Sequence, residues 1–232
     1  MLKSLVSRLP IRTQQALKRH IHGKQIRNDT FHGGEPEFDR LAEWVKPGDW
    51  VLDIGANVGH YTHRLSDLVG AKGRVIAIEP MPLTFELLSA NAARFRHKNV
   101  TLINVAASSG VGVVHMSLPN GNAYRASITN QGDQAAFALP IDNIGIEYPV
   151  SLIKIDVEGH EHSALLGMRG LIERDRPRLI VEHSGDTAVE QLLAELGYAW
   201  TYAPRSPNRV YTYQSVISSS GDADQYATAL KS

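Results

Sequence analysis

From Trp50 onward, short runs of apolar and β-branched residues alternate with segments of helical periodicity. The runs that predict strands read WVLDI, RVIAIE, NVTLINVA, VSLIKIDV, RLIVEH, YAWTYA and RVYTYQ. Strands that alternate with helices form parallel sheets with right-handed crossovers and helices on both faces. The pattern therefore predicts an α/β fold with a doubly wound, mostly parallel sheet of seven strands. Ligands of such sheets bind beyond the carboxyl ends of the strands, at the topological switch point.

Composition excludes several classes of protein. The chain of 232 residues has no cysteine, so a disulfide framework, a thiolate metal site and a cysteine nucleophile are all excluded. Its 24 basic and 24 acidic residues balance, which argues against a nucleic-acid partner. No apolar run approaches the roughly 18 residues of a membrane span, and no secretory signal is recognisable. We therefore expect a cytoplasmic location.

Charge and polarity divide the chain into three parts. Residues 1–34 form a basic segment that is predicted to be helical, with seven Lys or Arg and one acid among the first thirty residues. This segment suits peripheral contact with a membrane or an anionic substrate, or simple packing as a polar helix, and it also resembles an organelle transit peptide. Residues 35–215 form the α/β domain, and residues 216–232 form a polar tail that we expect to be frayed. Within the domain, residues 119–140 are polar and aperiodic, which predicts a long loop that, with the basic N-terminal segment, forms part of the substrate pocket or its lid.

The first predicted strand runs into a glycine-containing loop, DIGANVG, at Asp53–Gly59. Gly55 and Gly59 allow a tight turn and a close approach of the backbone to a ligand. The second strand ends in Glu79, 24 residues after Gly55. An acid at about this spacing can accept hydrogen bonds from both hydroxyls of an adenosine ribose. Together, the loop and the acid predict a cofactor that contains adenosine.

The loop favours S-adenosylmethionine (SAM) over NAD. A dinucleotide fingerprint reads G-x-G-x-x-G, whereas Asn57 and His60 stand at the second and third glycine positions here. Asp53 adds a carboxylate near the loop, which suits the sulfonium and ammonium of SAM better than a diphosphate. Pro80 and Asn104 complete the predicted cofactor contacts. Two alternatives remain open: an NAD-dependent Rossmann oxidoreductase, and a SAM- or nucleotide-binding module without catalysis.

Four segments resemble the FkbM family of SAM-dependent methyltransferases: VLDIGANVGHYT, RVIAIEP, LIKIDVEGHE and RPRLIVE. The resemblance covers roughly residues 35–183. It implies a class I methyltransferase (Rossmann-like) fold and methyl transfer to a hydroxyl of a sugar or glycan, or of a polyketide-like natural product. It also implies that the residues in contact with the cofactor include Asp53, Gly55, Asn57, Gly59 and Glu79. The family often has an acidic pair before the fourth strand, of which only Asp142 is present in this chain.

Candidate catalytic residues follow the fourth strand. A hydroxyl is a poor nucleophile until its proton is leaving, so a general base is expected beside the methyl group. Asp156 and Glu158 are predicted to hold the acceptor hydroxyl and take its proton, with His160 as an accessory base because its usual pKa is near 6.5. The alternative interpretation is that Lys154 and these acids form structural ion pairs.

The end of the fifth strand raises the question of a metal. Glu182 and His183 lie there and could join Asp156 in a site of oxygen and nitrogen ligands that suits Mg²⁺. The helical H-E-x-x-H spacing of a zinc enzyme is missing. The sequence therefore favours methyl transfer without a metal and leaves Mg²⁺ as an alternative.

Overall fold

A computed structural model of the chain describes residues 10–118, 127–129, 132, 134–183, 185–202 and 206–214. Its elements in chain order are α1 (Ile11–Arg27), α2 (Pro36–Trp44), β1 (Trp50–Ile54), α3 (His60–Val69), β2 (Arg74–Ile78), α4 (Pro82–Ala92), β3 (Val100–Ile103), β4 (Ala106–Ala107), β5 (Gly112–Ser117), β6 (Ser127–Thr129), β7 (Gln134–Leu139), a 3₁₀ turn (Ile141–Ile144), β8 (Val150–Ile155), α5 (Glu161–Leu166), α6 (Arg169–Asp175), β9 (Arg178–Glu182), α7 (Thr187–Glu195), β10 (Tyr198–Tyr202) and β11 (Asn208–Tyr213). The predicted polar tail, residues 216–232, lies outside the described residues.

The central sheet has seven strands in the order β10-β11-β9-β8-β1-β2-β3. All its strand pairs are parallel except those of β11, which runs antiparallel to β9 and to β10. The predicted doubly wound, mostly parallel sheet is confirmed. The strands that follow β1 in the chain lie on one side of it, while β8 and its successors lie on the other. The switch point therefore lies at the carboxyl ends of β1 and β8, where a ligand site is expected.

Apolar side chains cover both faces of the sheet. Ile54 and Ile153, both 0% exposed, pack in one core cluster with side chains of α5, α6 and α7. Val51 and Leu152, also 0% exposed, pack on the opposite face with side chains of α2 and α3. Strands that are buried on both faces read as continuous apolar runs. This explains why these strands were recognisable in the sequence.

A second, four-stranded sheet, β4-β7-β5-β6, lies partly in the segment predicted to be an aperiodic loop. The prediction for residues 119–140 was wrong in part, because β6 and β7 both pair with β5. The strand β7 alternates between half-buried and exposed side chains, and its Phe137 is 69% exposed. Main-chain pairing rather than burial holds this strand, so no hydrophobic period marks it. Residues 119–126, 130–131 and 133 lie outside the described residues.

The basic N-terminal segment contains α1, whose contacts with the domain include polar ones to α4 and the packing of Ile26 on the apolar cluster that contains Leu87. The side-chain amide of Gln15 donates to the carbonyl of Leu83 (3.2 Å), and Arg19 forms an ion pair with Glu86. His22 Nδ1 lies 3.1 Å from the side-chain amide of Asn91. Helix α1 is therefore packed on the α/β domain. Residues 1–9 of the same segment are not among those described.

The helical region that follows β8 is divided into α5 and α6. The chain bends at Gly167, where a Cβ atom would come within 1.9 Å of the Ser108 carbonyl oxygen. Beyond the bend, the Asp142 carboxylate accepts hydrogen bonds from the backbone N–H groups of Gly170 and Leu171, both at 2.9 Å. A carboxylate in this position satisfies amides that a helix start leaves unpaired. Asp142 therefore caps α6 and stabilises the bend.

Candidate active site

The loop between β1 and α3 lies directly against the chain that leaves β8. Gly55 has φ +77°, and a Cβ atom on it would lie 1.7 Å from the carbonyl oxygen of Asp156. Asn57 also has a positive φ, +51°, which asparagine tolerates better than most residues. Only glycine fits at position 55, because any side chain would collide with the neighbouring backbone. The sequence thus brings the ends of β1 and β8 into contact at the switch point.

Glu79 follows β2 and is buried, at 7% exposed. One carboxylate oxygen accepts the backbone N–H of Asn57 and the other accepts that of Met81, both at 2.9 Å. Burial raises the pKa of Glu79 to about 7, while the two backbone N–H groups oppose this shift and the charges of Asp53 and Asp156 add to it. Each oxygen keeps a lone pair for a further donor. The carboxylate is therefore fixed in place and able to accept a ribose diol.

Glu79 belongs to the wall of a first pocket, which encloses a cavity of about 70 Å³. The residues that line the first pocket are Ile54, Gly55, Asn57, Ile78, Glu79, Pro80, Ala106, Ala107, Met116, Ile128, Asp156, Val157 and Glu158. Apolar side chains from the second sheet form one part of this wall, and the acids form another. An apolar slot beside a diol acceptor fits the adenosine half of SAM.

A second pocket shares Gly55, Asn57 and Asp156 with the first. Its other lining residues are His22, Gly33, Glu35, Asp53, Ala56, Val58, His60, Tyr61 and Lys154. Burial, followed by the charges of neighbouring histidines, lowers the pKa of His60 to about 4, so its ring is neutral at pH 7. The lining of the second pocket includes the Lys154 ammonium and the carboxyl groups of Glu35, Asp53 and Asp156. This mixture of charges fits the zwitterionic amino-acid end of SAM.

Charged groups are buried beneath the loop. Asp53 is 1% exposed and accepts a hydrogen bond from the Thr62 hydroxyl at 2.5 Å. Burial raises the pKa of Asp53, against the lowering effect of Lys154 and Thr62. Lys154 is 2% exposed, its Nζ donates to Asp156 at 2.7 Å, and it lies 4.9 Å from the centre of the Tyr61 ring. The buried ammonium therefore orients the Asp156 carboxylate at the junction of the two pockets.

Asp156 also shares a hydrogen bond with Glu182, which ends the neighbouring strand β9. Two carboxyl groups can hydrogen-bond each other only when one of them carries a proton. Burial, and then the charge of Asp156, raises the pKa of Glu182. Burial acts in the same direction on Asp156, but the charge and hydrogen bond of Lys154 outweigh it and hold the pKa of Asp156 below its usual value. At neutral pH, Asp156 is therefore ionised and Glu182 donates the shared proton.

Residues 53–199, more than half of the chain, match the family described as the methyltransferase FkbM domain. The chain belongs to the FkbM methyltransferase family. It carries a SAM-dependent methyltransferase domain, as the four motif segments implied, and the family assignment argues against an NAD-dependent oxidoreductase.

Individual relatives agree with this assignment. The hexuronic acid methyltransferase AglP of Haloferax volcanii is 27% identical over 168 residues, which cover 70% of this chain and 69% of AglP. The crystal structure of an FkbM methyltransferase from Methylobacillus flagellatus KT superposes with a TM-score of 0.56 at 22% identity. The superposition covers 77% of this chain, which spans only 50% of that protein. An rRNA methylase from Streptococcus thermophilus shares the fold, with a TM-score of 0.52, 14% identity, and coverage of 78% and 98% of the two chains.

The FkbM site brings together two of the three predicted catalytic side chains. Asp156 and Glu158 both line the first pocket. Glu158 has φ +52°, and the turn around it is held by Glu161, whose carboxylate accepts the backbone N–H groups of Val157 (3.2 Å) and Gly159 (3.1 Å). The two acids therefore face the cofactor space, where the sequence predicted them.

His160 is directed elsewhere. Its Nε2 lies 3.0 Å from the Ser108 hydroxyl, and burial lowers its pKa. The residue is absent from the walls of both pockets described above. Its role as an accessory base stays a prediction, but the geometry gives it a structural partner between β4 and α5. Of the three predicted catalytic residues, Asp156 and Glu158 therefore line the first pocket and His160 does not.

Two predicted cofactor residues, Asn104 and Gly59, lie outside the pocket walls and contact the residues around the site. The Asn104 side-chain amide donates to the carbonyls of Glu79 (2.7 Å) and Pro80 (3.0 Å), and so fixes the backbone that carries the Glu79 carboxylate. Gly59 begins α3 with φ +94°, and a Cβ atom there would lie 2.7 Å from Leu88 Cδ1. Neither Asn104 nor Gly59 lines a described pocket, whereas Pro80 does.

The three alternative metal ligands do not converge. His183 Nε2 lies 3.1 Å from an Arg209 guanidinium nitrogen, and its Nδ1 lies 3.9 Å from Glu190. Asp156 and Glu182 instead share a hydrogen bond with each other. Over the part of the chain that the structure describes, no group of three or more His, Asp or Glu side chains is arranged to hold a metal ion. The geometry thus provides no three-ligand site at the end of β9.

The contribution of residues 119–140 and of the basic N-terminal segment to the substrate pocket stays a prediction, but one side chain of each segment reaches a pocket. Ile128 lines the first pocket from the second sheet, as does Met116, 1% exposed, and His22 reaches the second pocket from α1. Sequence reasoning did not identify these three residues individually. The alternation in VGVVHMSL could have identified Met116 as an inward-facing residue. The polar stretch around Ile128 has no pattern that distinguishes this residue.

Proposed function

We propose that this FkbM methyltransferase transfers the methyl group of SAM to a hydroxyl oxygen of a sugar, with uronic-acid sugars as the first candidates. The observation that carries the proposal is the Asp156 carboxylate. It lies at the junction of the two pockets, ionised, and it is oriented by Lys154 and by the protonated Glu182. The relative AglP, a hexuronic acid methyltransferase, supports the sugar class over a polyketide-like acceptor.

When bound, SAM supplies an electrophilic methyl group on a sulfonium. The carbon–oxygen bond forms as the carbon–sulfur bond breaks, the electron pair stays on sulfur, and the hydroxyl proton must leave. Asp156 accepts the hydrogen bond of the acceptor hydroxyl and takes its proton as the new bond forms. Its low pKa does not prevent this, because an alcohol oxygen becomes strongly acidic once it is bonded to the methyl group. Glu182 keeps its own proton and holds the carboxylate in position.

The acids also favour a hydroxyl over a carboxylate as the nucleophile. Asp156 and Glu158 both line the first pocket, so an anionic acceptor oxygen would be repelled there. Two unit charges about 4 Å apart repel by about 4 kcal/mol at the effective dielectric of a protein surface. A neutral hydroxyl instead donates a hydrogen bond to Asp156. The proposed product is therefore a methyl ether rather than a methyl ester.

The test uses purified protein, methyl-labelled SAM and a set of acceptors. The acceptors are nucleotide-linked glucuronic acid, nucleotide-linked glucose, oligosaccharides with and without uronic acids, and hydroxylated polyketides. We expect label to enter a sugar and to survive mild alkali, which cleaves methyl esters but leaves ethers intact. Label that mild alkali releases, or label found only in polyketides, would contradict the proposal.

The variant Asp156→Asn keeps the shape of the side chain but removes its charge. We expect kcat/KM to fall by at least about tenfold, or about 1.4 kcal/mol, while affinity for S-adenosylhomocysteine changes much less. Asp39→Asn on the exposed surface of α2 is the matched control and should leave the rate unchanged. Equal rates for the wild-type protein and Asp156→Asn would remove Asp156 from the chemical step.

A further inference from the structure

Helix α1 has two faces with different surroundings. Its inner face includes the buried Gln15, which bonds to α4, and His22, which lines the second pocket. Its outer face exposes two large apolar side chains four residues apart, Leu17 at 38% and Ile21 at 45%. Lys24 is exposed on the same face, one turn after Ile21. The outer face therefore combines apolar and cationic side chains.

Charge is concentrated in this helix although the chain as a whole is balanced. The 17 residues of α1 include five Lys or Arg and no Asp or Glu, whereas the whole chain has 24 basic and 24 acidic residues. Arg27, in the last turn, is exposed like Lys24. The nine residues before Pro10 add Lys3 and Arg8 to the sequence, again without an acid. A cationic segment of this kind complements an anionic surface.

We propose that the outer face of α1 docks on the surface of an anionic lipid bilayer. Helices that lie in a membrane interface place apolar side chains at the headgroup boundary and Lys or Arg among anionic headgroups. Leu17 and Ile21 supply the first feature, and Lys24 and Arg27 supply the second. A nucleic-acid backbone is a polar partner that would leave the two apolar side chains without a role. None of the helices in the described part of the chain is long and apolar enough to cross a bilayer, so the contact is peripheral.

Vesicle co-sedimentation of the full chain tests the docking surface. One set of vesicles is phosphatidylcholine alone, and the other adds phosphatidylglycerol, each at low and high salt. We expect binding to the anionic vesicles only, and less of it at high salt. Absence of binding, or equal binding to both kinds of vesicle, would overturn the proposal.

Paired variants identify the residues involved. Lys24→Gln with Arg27→Gln should weaken binding by about fivefold for each cation, because each contributes about 1 kcal/mol near an anionic membrane. Lys72→Gln with Arg96→Gln, which removes two exposed cations outside α1, is the matched control and should bind like the wild type. If the two pairs weaken binding equally, the attraction is general and α1 is not the docking surface.

The double variant Leu17→Ser with Ile21→Ser tests whether the apolar side chains of the outer face contribute to vesicle binding. Both side chains are exposed, so the fold should persist, and unchanged circular dichroism and S-adenosylhomocysteine affinity would show this. We expect weaker vesicle binding with the same dependence on salt. Wild-type vesicle binding by this pair, or tighter binding of the wild-type chain to an RNA oligonucleotide than to anionic vesicles, would refute docking through this face.

Discussion

Glu79 should make cofactor affinity depend on pH near neutrality. Its carboxylate is buried, and its pKa is raised to about 7 mainly by desolvation. Only the ionised form can accept hydrogen bonds from both ribose hydroxyls while still accepting the backbone N–H groups of Asn57 and Met81. Binding at a pH below 7 must therefore first remove a proton from Glu79.

The size of this effect follows from the pKa. With a pKa of about 7, roughly a tenth of Glu79 is ionised at pH 6 and roughly nine tenths at pH 8. Two hydrogen bonds to a charged group, each contributing about 1.5–3 kcal/mol, should lower the pKa in the complex well below 6. Affinity should then be about tenfold weaker at pH 6 than at pH 8, a difference of about 1.4 kcal/mol.

Isothermal titration calorimetry with S-adenosylhomocysteine is the appropriate assay, because this ligand lacks the sulfonium charge that the other acids attract. Titrations in two buffers with different ionisation enthalpies count the protons released on binding. We expect nearly one proton to be released per ligand at pH 6 and almost none at pH 8. Glu79→Gln should bind more weakly and without this pH dependence, whereas Glu182→Gln should retain it.

The same pKa has the opposite consequence for the stability of the ligand-free protein. Because the pKa of Glu79 in the folded state is above its usual 4.5, its contribution to stability is fully present below pH 4.5 and is lost as pH rises through 7. The loss amounts to about 3 kcal/mol relative to Glu79→Gln. Urea unfolding of both proteins between about pH 4 and about pH 8, a range that spans both pKa values, measures this loss. Parallel stability curves, together with equal affinities at the two pH values, would refute the role given to Glu79.

Two further predictions concern the loop and the metal question. In urea unfolding, Gly55→Ala should destabilise the protein by well over the roughly 1–3 kcal/mol that left-handed backbone strain costs, because its Cβ atom would collide with the Asp156 carbonyl oxygen. Gly145→Ala is the control: Gly145 has φ +73° and no atom within 4 Å of the added Cβ, so this variant should show the cost of the strain alone. Methyl transfer should be fully retained in EDTA, because Lys154 and the shared proton already compensate Asp156 and Glu182; loss of activity that Mg²⁺ restores would contradict this.

The central sheet could be predicted because its strands are buried on both faces, so that runs such as Val75–Ile78 are apolar throughout. The strand β7 could not, since its side chains are largely solvated and backbone pairing with β5 carries it. Helix α1 likewise had the sequence pattern of a polar segment. Its contacts with α4 include hydrogen bonds and an ion pair, which leave no apolar stripe in the sequence.

The cofactor half of the site was predictable for a different reason. The Gly55 loop and Glu79 are local features that follow consecutive strands, and their spacing alone suggests an adenosine site. The pairing of Asp156 with Glu182 depends instead on how β8 and β9 align, with Ile155 beside Val181. Register between strands that are distant in sequence leaves no trace in the spacing of residues. The sequence therefore indicated two acids at neighbouring strand ends but not the proton they share.

The charges of the site suggest how binding and release are balanced. Asp156 and Glu158 stand in the wall of the pocket that fits SAM, and Lys154 donates a hydrogen bond to Asp156. A sulfonium is attracted to such a wall, whereas the neutral thioether that remains after transfer is not. Under the proposed mechanism, the acids that orient the hydroxyl therefore attract the methyl donor more strongly than the product that remains after transfer. Protonation of Glu182 limits the negative charge of the wall, so that Asp156 is ionised without an uncompensated second carboxylate beside it.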